Sequence, residues 1–376
     1  MIKISSDFDH GNINCLDLST PSDIRLEIEQ DGKAEFYQWF FYCVEGAMTH
    51  PLVMNIVNAN GASYPGGWKD YRAVASYDHE RWFRVETGYD GKSLTIKHTP
   101  DRDCVYYAYF AAYPAARCKA LVEKTRQSPL ITHEYLGQTL DGQDIDYFRV
   151  GEPGDDKRVF WVNARQHPGE TMASWWMEGF LARITDEDDP AAQMLREKAV
   201  VHIIPCMNLD GVKRGHLRTN AAGADLNRAW RNASMELSPE VFLVRRKMQE
   251  TGVDFFLDVH GDEAIPNNFL DSAKGIPSWN DRHEKLFDRY SALLLEASKD
   301  FQTKVGYPAA APGAANLDIA NSYVGETWNC LSMTLEMPFK DANVNVDPVY
   351  GWSPERCRKF GRDHLAVMAQ MVDVLR

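Results

Sequence analysis

The alternation of short apolar runs with helical stretches beyond residue 150 constrains the fold of this chain more than any other feature. Apolar runs of strand length occupy 159–162, 200–204, 255–257 and 331–335. Helical patterns lie between and after these runs, at 171–184, 240–250, 283–298 and 355–375. Strands that alternate with helices in this way predict an α/β fold, in which helices cover both faces of a mostly parallel mixed sheet.

The first 115 residues have a different pattern, in which short strands are separated by Gly, Asn and Asp. The candidate strands are 24–28, 38–42, 52–57, 81–85 and 105–110. Several short strands of this kind predict a smaller antiparallel β-sandwich. After Pro114 the pattern becomes helical over 115–122. We therefore expect two domains, with boundaries at 1–115 and 116–376.

Two histidines and a glutamate follow the ends of two apolar runs. His167 and Glu170 belong to the segment HPGE, and His260 comes directly after the run that ends in LDV. Ligands of open α/β sheets bind beyond the carboxyl ends of the strands. Two imidazoles and one carboxylate leave the fourth position of a tetrahedral zinc open for water, which is typical of a catalytic site. We therefore expect His167, Glu170 and His260 to bind one Zn²⁺.

The surroundings of HPGE strengthen this interpretation, because a histidine and a glutamate three positions apart are common by chance. Pro168 and Gly169 can turn the chain sharply from the preceding strand into a helix that begins near Glu170. His202 lies inside its apolar run rather than at the end. It is therefore expected to be a core or edge histidine.

Glu336 is the candidate general base. It emerges from an apolar run in the segment TLEMPF. A carboxylate there can take a proton from an attacking water and pass it to a leaving amine. The alternative is a structural carboxylate that is salt-bridged at the edge of the sheet, since buried carboxylates normally need a partner.

Cationic side chains are concentrated in one stretch of an otherwise acidic protein. They are Lys213, Arg214, His216, Arg218, Arg228 and Arg231. These residues are interleaved with Gly, Asn and Ala and lack helical spacing, and arginine binds carboxylates through a bidentate fork. The stretch therefore predicts a pocket for an anion.

Composition excludes several other partners. A net charge of −13 argues against nucleic acid, which needs a basic surface. No apolar stretch approaches the ~20 residues that a membrane helix requires. Acidic residues stand where a secretion signal would be apolar, and the seven cysteines are scattered, as expected of free thiols. The sequence therefore predicts a cytoplasmic protein; its oligomeric state is not legible.

The combined motifs resemble those of the zinc metallocarboxypeptidases of the carboxypeptidase A superfamily, and more closely the cytosolic carboxypeptidase branch with its bacterial members. The matching motifs are HPGE with the distal His260, NLDG at 208–211, GADLNRAW at 223–230 and TLEMPF at 334–339. They occur in the family order. The first 115 residues also resemble the N-terminal β-domain of that branch.

The resemblance implies a zinc-dependent enzyme that hydrolyses the last peptide bond of peptides or proteins. His167, Glu170 and His260 would bind the zinc, and Glu336 would be the base that activates the zinc-bound water. The carboxylate and the carbonyl of the substrate would be bound by arginine and amide side chains. Asn227 and Arg228 would hold the C-terminal carboxylate, and Arg218 would polarise the scissile carbonyl.

Several points remain open at this level. The cytosolic branch resembles deglutamylases, and the basic stretch is compatible with an acidic C-terminal residue. The side chain that selects this residue is expected around 316–318, and neither Tyr307 nor Tyr323 can be assigned as the tyrosine that closes over substrate. A zinc-dependent amidase or deacylase, and a catalytically silent binding module, are the alternative functions.

Overall fold

The N-terminal part of the computed structural model, which describes residues 1–375, contains ten short strands in two sheets. The strands are β1 (Lys3–Ser5), β2 (Asn14–Asp17), β3 (Ile24–Glu27), β4 (Phe41–Glu45), β5 (Leu52–Ile56), β6 (Val74–Ser76), β7 (Trp82–Arg84), β8 (Glu86–Tyr89), β9 (Leu94–His98) and β10 (Cys104–Ala108). Their orders are β1-β4-β10-β6-β7 and β2-β3-β5-β9-β8. All pairs are antiparallel except β3 with β5. The predicted antiparallel N-terminal domain is confirmed.

Alternation explains why these segments form strands. Along β5 the side chains of Leu52, Met54 and Ile56 are buried, whereas Val53 and Asn55 are partly exposed. A period of two places one row of side chains in the core and the other toward solvent. The β-domain, as we call residues 1–115, therefore contains half-buried strands such as β3 and β5, whereas β4 and β6 are buried on both faces.

The remainder of the chain adds a seven-stranded sheet and eight helices. The strands are β11 (Ile131–Gln138), β12 (Asp144–Val150), β13 (Arg158–Ala164), β14 (Ala199–Ile204), β15 (Phe255–Asp262), β16 (Phe269–Ser272) and β17 (Leu331–Pro338). The helices are α1 (Ala115–Thr125), α2 (Thr171–Ile184), α3 (Pro190–Lys198), α4 (Leu209–Arg214), α5 (Pro239–Thr251), α6 (Asp281–Ala297), α7 (Ala320–Trp328) and α8 (Pro354–Met371). The strand order is β11-β12-β14-β13-β15-β17-β16.

The four central strands of this sheet, β14, β13, β15 and β17, are parallel, and the edge strands pair antiparallel. Successive side chains of one strand pack against helices on opposite faces of the sheet. Trp161 packs with α5 and α7 residues such as Val244 and Val324, whereas Phe160 belongs to the larger core that includes α2 and α8. Helices thus cover both faces, and the predicted α/β class is confirmed.

Helices α2 and α8 pack unusually closely in the larger core. A Cβ on Gly179 would lie 2.0 Å from the carbonyl oxygen of Arg358, and one on Gly361 would lie 2.2 Å from that of Trp176. Only glycine permits such an approach of two backbones. This contact fixes α2, whose first turn follows Glu170 directly.

The β-domain is tied to the α/β domain through buried contacts. Arg84 donates from Nη2 to the carbonyl oxygen of Phe339 at 3.0 Å, and the rings of Tyr109 and Phe339 stack at 4.4 Å. Trp175 of α2 donates to the carbonyl oxygen of Ala111 at 2.9 Å. The two parts therefore share one continuous core.

Most expected elements are present, with small shifts in their limits. The run at 38–42 is the main difference, because the strand covers Phe41–Glu45 and the Gln38 side chain instead bonds to the backbone of Tyr64. The sequence pattern did not predict β1, β2, β6, β8, β9, β11, β12 or β16, and it missed α3, α4 and α7. Within residues 1–375, no helix is long and apolar enough to cross a membrane.

Candidate active site

The carboxyl ends of three neighbouring parallel strands bring the expected site residues together. Strand β13 ends at Ala164 beside Val259, just before the loop that carries His167. On the next pair of strands, His260 of β15 lies directly opposite Glu336 of β17. Sheet register therefore places His260 and Glu336 side by side, although they are 76 positions apart in the sequence.

The loop between β13 and α2 is held by a buried arginine. Arg165 has a φ of 64° and is fully buried. Its guanidinium donates to the carbonyl oxygen of Pro168 at 2.7 Å and to Ser174 Oγ at 2.6 Å. Gly169 N donates to the carbonyl oxygen of Leu217 at 2.8 Å. These bonds fold the loop tightly, so that His167 and Glu170 face the same point.

The three expected metal ligands converge with their side chains buried. Glu170 Oε1 lies 2.6 Å from His167 Nδ1, and Glu170 Oε2 lies 2.8 Å from His260 Nδ1. The two Nδ1 atoms are 3.2 Å apart. One donor atom from each residue thus lies within 4.8 Å of the others, a spacing that suits a single metal ion. This set fits one zinc with two imidazoles and one carboxylate.

Two further aspartates hold the far side of each imidazole. Asp225 Oδ1 lies 3.0 Å from His167 Nε2, and Asp258 Oδ2 lies 2.8 Å from His260 Nε2. A carboxylate at Nε2 keeps the proton there and turns Nδ1 toward the metal. Sequence reasoning missed both aspartates. Asp258 lies two positions before His260 on the same strand, and this spacing was the available signal.

The titratable side chains of the site shift one another's pKa values. Burial disfavours ionised Glu170, but the imidazoles of His167 and His260 outweigh it and hold the pKa of its carboxyl below its ordinary range. Burial raises the pKa of Glu263 to about 8, with a further contribution from the charge of Glu170. Burial likewise raises the pKa of Glu336, while the neighbouring His260 opposes the shift. The pKa values of these carboxyl groups are therefore pushed in opposite directions by their surroundings.

Glu336, the candidate base, is buried and has one oxygen without a partner in residues 1–375. Its side chain is 8% exposed, and its Oε2 has no hydrogen-bond partner within residues 1–375. No salt bridge to Lys or Arg is formed by Glu336 in this part of the chain. Within residues 1–375, Glu336 is therefore not the salt-bridged structural carboxylate that was the alternative. The Glu336 side chain lines a cavity of about 430 Å³.

This site cavity is lined by residues from both parts of the chain. They are Tyr64, His167, Glu170, Arg218, Asn227, Arg228, Gly261, Asp262, Glu263, Ala264, Asp271, Tyr307, Ile319, Thr334 and Glu336. All seven expected site residues except the more deeply buried His260 thus contact one space. A larger cavity of about 560 Å³ beside α6 shares Tyr307 with it but contains none of the candidate metal ligands.

Fewer cationic side chains reach the cavity than the sequence indicated. Of the cationic stretch, only Arg218 and Arg228 line the site cavity. Arg214 pairs with Asp141 at the surface at 2.7 Å, and the buried His216 accepts from the backbone of Gly32 at 2.8 Å. The sequence pattern, in which cationic residues alternate with Gly, Asn and Ala, did not show which of these residues line the cavity and which lie at the surface.

The two cavity arginines differ in their surroundings. Arg218 is paired through Nε with Asp225 Oδ2 at 2.7 Å. Arg228 is exposed and donates only to the neighbouring carbonyl oxygen of Asn227 at 2.8 Å. Asn227 Oδ1 accepts from the Ala320 amide at 2.8 Å, so its Nδ2 group is the part available as a donor. Arg228 and Asn227 thus offer donors to an anion.

The structure distinguishes between the two unassigned tyrosines. Tyr307 lines the cavity, and its hydroxyl donates to Asp262 Oδ2 at 2.6 Å. Tyr323 instead accepts from Arg245 at 2.5 Å and packs near Trp230. The segment 316–318, expected to select the C-terminal side chain, does not line the cavity; Ile319 does.

Known proteins resemble this chain over both of its parts. A model of the zinc carboxypeptidase family matches residues 118–356, and one of the cytosolic carboxypeptidase N-terminal domain matches residues 4–110. An uncharacterized protein of Zymomonas mobilis is 47% identical over 374 residues, covering 100% of this chain and 97% of that protein. Cytosolic carboxypeptidase 6 of Caenorhabditis elegans is 24% identical over 372 residues, covering 90% and 79%.

Two solved bacterial structures have the same architecture throughout. A metallo-carboxypeptidase from Pseudomonas aeruginosa, in complex with (2-guanidinoethylmercapto)succinic acid, is 44% identical with a TM-score of 0.97 over 100% of both chains. A metallo-carboxypeptidase from Burkholderia cenocepacia is 42% identical with a TM-score of 0.97, over 99% of this chain and 100% of that one.

Fold and site together define a zinc-dependent metallopeptidase. The chain belongs to the zinc carboxypeptidase family, and its N-terminal segment matches the corresponding domain of the cytosolic carboxypeptidases. It is thus an enzyme of a family that acts on the C-termini of peptides or proteins, as the sequence motifs indicated.

Proposed function

We propose that Glu336 is the general base and acid of a carboxypeptidase reaction. The position of its side chain carries the proposal, because Glu336 is beside His260 in the sheet, lines the cavity and has one oxygen without a partner in residues 1–375. From there it can take a proton from the attacking water and return it to the departing amine. The metal donor set fits Zn²⁺, which when bound supplies a Lewis acid and lowers the pKa of water.

The remaining cavity residues account for recognition of a free C-terminus. Arg228 and Asn227 present donors at the cavity, and we assign them to the carboxylate of the substrate. Arg218 lies on the wall with His167 and Glu170, and we assign it to the oxyanion that develops on the scissile carbonyl. An exopeptidase needs both functions within one residue's length of the metal.

The substitution Glu336→Gln tests the base. We expect release of the C-terminal amino acid to fall by about 10²–10⁴-fold, the usual contribution of a general acid–base group, with zinc content unchanged. Glu355→Gln is the matched control, because that side chain is 88% exposed on α8. Turnover at the wild-type rate in zinc-loaded Glu336→Gln would contradict the assignment.

The cavity also indicates a basic rather than an acidic C-terminal residue. Asp271 of β16 lies opposite Thr334 in the register, so both are near Glu336 on the same face of the sheet. Burial raises the pKa of Asp271 to about 6, and only the amide of Asn321 opposes the shift. Asp271 forms no salt bridge with Lys or Arg in residues 1–375. A substrate lysine or arginine would supply the missing cation.

Two further observations support this substrate class. Asp262 and Glu263 add carboxyl groups to the same cavity, whose lining offers a glutamate side chain no cation beyond Arg218 and Arg228. The Pseudomonas aeruginosa relative was solved with a ligand that combines a guanidino group with succinic acid. Such a molecule pairs a cation with carboxylates, as a C-terminal arginine does. Removal of glutamate, which the resemblance to the cytosolic branch leaves open, is the competing outcome.

A library of peptides that differ only in the C-terminal residue tests the preference. Wild type is expected to favour lysine and arginine, and Asp271→Asn to lose about 10- to 100-fold in kcat/KM for these, since a charged hydrogen bond contributes about 1.5–3 kcal/mol. Hydrolysis of C-terminal leucine should not change. Asp318→Asn is the control, because Asp318 pairs with Arg231 outside the cavity. A preference for glutamate would contradict the proposal.

Acyl-amino acids belong in the same assay, since an amidase or deacylase of the superfamily would prefer them to peptides. The silent binding module is not supported, because the chain belongs to an enzyme family and the candidate base is present. A cytoplasmic location is part of the proposal and is supported by the cytosolic carboxypeptidase relatives.

A further inference from the structure

A carboxylate of the β-domain binds the backbone of the loop that carries Arg218. Asp31 is 2% exposed. Its oxygens accept from the backbone N–H groups of Leu217 at 2.6 Å, Arg218 at 2.8 Å and Thr219 at 2.8 Å. The Thr219 hydroxyl donates to it at 3.1 Å. Three consecutive amides thus converge on one buried anion.

Neighbouring contacts from the β-domain hold the start of the same loop. Gly32 N donates to His216 Nε2 at 2.8 Å, and Asn12 Nδ2 donates to the carbonyl oxygen of Gly215 at 2.8 Å. Gly215 has a φ of 68°, and a Cβ there would lie 2.2 Å from the carbonyl oxygen of Gly11. The loop therefore follows the surface of the β-domain closely.

The β-domain also contacts the functional end of the arginine. The rings of Phe36 and Tyr64 each lie 5.6 Å from the guanidinium carbon of Arg218. Tyr64 itself lines the site cavity. On the other side, Asp225 pairs with Arg218 Nε at 2.7 Å. The guanidinium is thus held between two aromatic rings of one domain and a carboxylate of the other.

The loop is bonded to both domains. Within the α/β domain, Gly169 N donates to the carbonyl oxygen of Leu217 at 2.8 Å and Asn220 Nδ2 donates to that of Leu237 at 2.9 Å. No helix or strand lies between α4, which ends at Arg214, and the short 3₁₀ turn Leu226–Arg228. A donor that stabilises an oxyanion acts through being fixed before the reaction, so a mobile loop would weaken it. The contacts of Asp31 and the two rings supply this fixation from outside the α/β domain.

We infer that the β-domain completes the active site, with Asp31 as a positioning residue that aims Arg218 into the cavity through the backbone of 217–219. This inference rests on the proposed function of Arg218. It gives the β-domain a role in catalysis, because the domain holds Arg218 and its backbone from the side opposite to Asp225.

A double-mutant cycle on the full-length, zinc-loaded enzyme tests the inference. Asp31→Asn is expected to lower kcat about tenfold or more with little change in KM, within the limit of about 10²–10³ for loss of an oxyanion donor. In an Arg218→Ala background, Asp31→Asn should have no further effect on kcat, because the residue acts through the arginine. Merely structural damage would instead lower kcat in both backgrounds.

Two additional variants keep the test decisive. Glu80→Gln breaks another bond of the β-domain, to Arg117 at 2.5 Å, and should leave kcat unchanged. If Asp31→Asn does not fold, Tyr64→Leu removes one ring from Arg218 without altering the buried carboxylate, and the same lack of additivity is expected. Equal losses in both backgrounds would overturn the inference.

The outcomes separate this inference from the proposed function. If Arg218→Ala lowers kcat but neither Asp31→Asn nor Tyr64→Leu does, the positioning role is overturned and the assignment of Arg218 stands. If Arg218→Ala retains wild-type kcat, the assignment of Arg218 fails and the inference with it.

Discussion

Asp225 connects the metal site to the candidate oxyanion donor, and its replacement should disturb both. Its Oδ1 accepts from the backbone of Asn227 at 2.9 Å and lies 3.0 Å from His167 Nε2, while its Oδ2 accepts from Arg218 Nε at 2.7 Å. Burial disfavours the charge, but His167 and Arg218 outweigh it and hold the pKa of Asp225 below its ordinary range. Asp225 is thus an ionised acceptor for two functional side chains.

Asp225→Asn keeps the shape of the side chain but replaces one acceptor oxygen with an NH₂ group. Whichever way the amide turns, that group meets either the His167 N–H or the Arg218 N–H, and one contact becomes donor against donor. A hydrogen bond to a charged group contributes about 1.5–3 kcal/mol, which corresponds to about 10- to 100-fold. We expect the zinc affinity, kcat or the product of the two to fall by this factor.

Competition with a chelator measures the zinc affinity, and peptide hydrolysis at saturating zinc measures kcat. Asp141→Asn is the matched control, because it changes an Asp–Arg pair with Arg214 whose side chains are 35% and 39% exposed. Such a pair contributes little to stability. If Asp225→Asn kept both quantities within twofold of wild type, the idea that one carboxylate orients both groups would be refuted.

Two other predictions concern stability. Burial raises the pKa of Glu240 from its ordinary 4.5 to about 7, so the folded state favours its protonated form. The contribution of protonated Glu240 to stability is complete below pH 4.5 and is lost as the pH rises through about 7. Over that interval the unfolding free energy of wild type should fall by about 3 kcal/mol relative to that of Glu240→Gln. Urea titrations of both proteins measure this difference. A pH-independent difference would contradict this. Gly361→Ala should cost about 1–3 kcal/mol in the same measurement, because its Cβ would collide with the Trp176 carbonyl oxygen; an unchanged midpoint would contradict the close helix contact.

Long periodic elements could be predicted from the sequence because their side chains report burial directly. The pattern at 171–184 coincides with α2, and the run at 331–335 lies inside β17. The edge strands β11 and β16 were missed because they are short or largely exposed, so that their apolar signal is weak. Their formation depends on the neighbouring strand, which local sequence does not encode. The domain boundary at 115/116 stays a prediction.

The candidate ligands could also be found from the sequence, because each lies at the end of an apolar strand. His167, Glu170 and His260 converge because β13 and β15 are adjacent, which the alternation of strands and helices already favoured. The roles of these residues and of Glu336 remain predictions until the variants are measured. Their proximity is a property of the fold.

The sequence by itself predicted the class of fold, the candidate metal ligands and the candidate base, since each is marked by periodicity or by a motif within one segment. Only the tertiary structure decided which cations reach the cavity, that Tyr307 rather than Tyr323 lines it, and that Asp31 binds the backbone of Arg218 from 187 positions away. The physical reason is that loop side chains have no periodic pattern. Their contacts arise only when packing of the core brings distant backbone segments together.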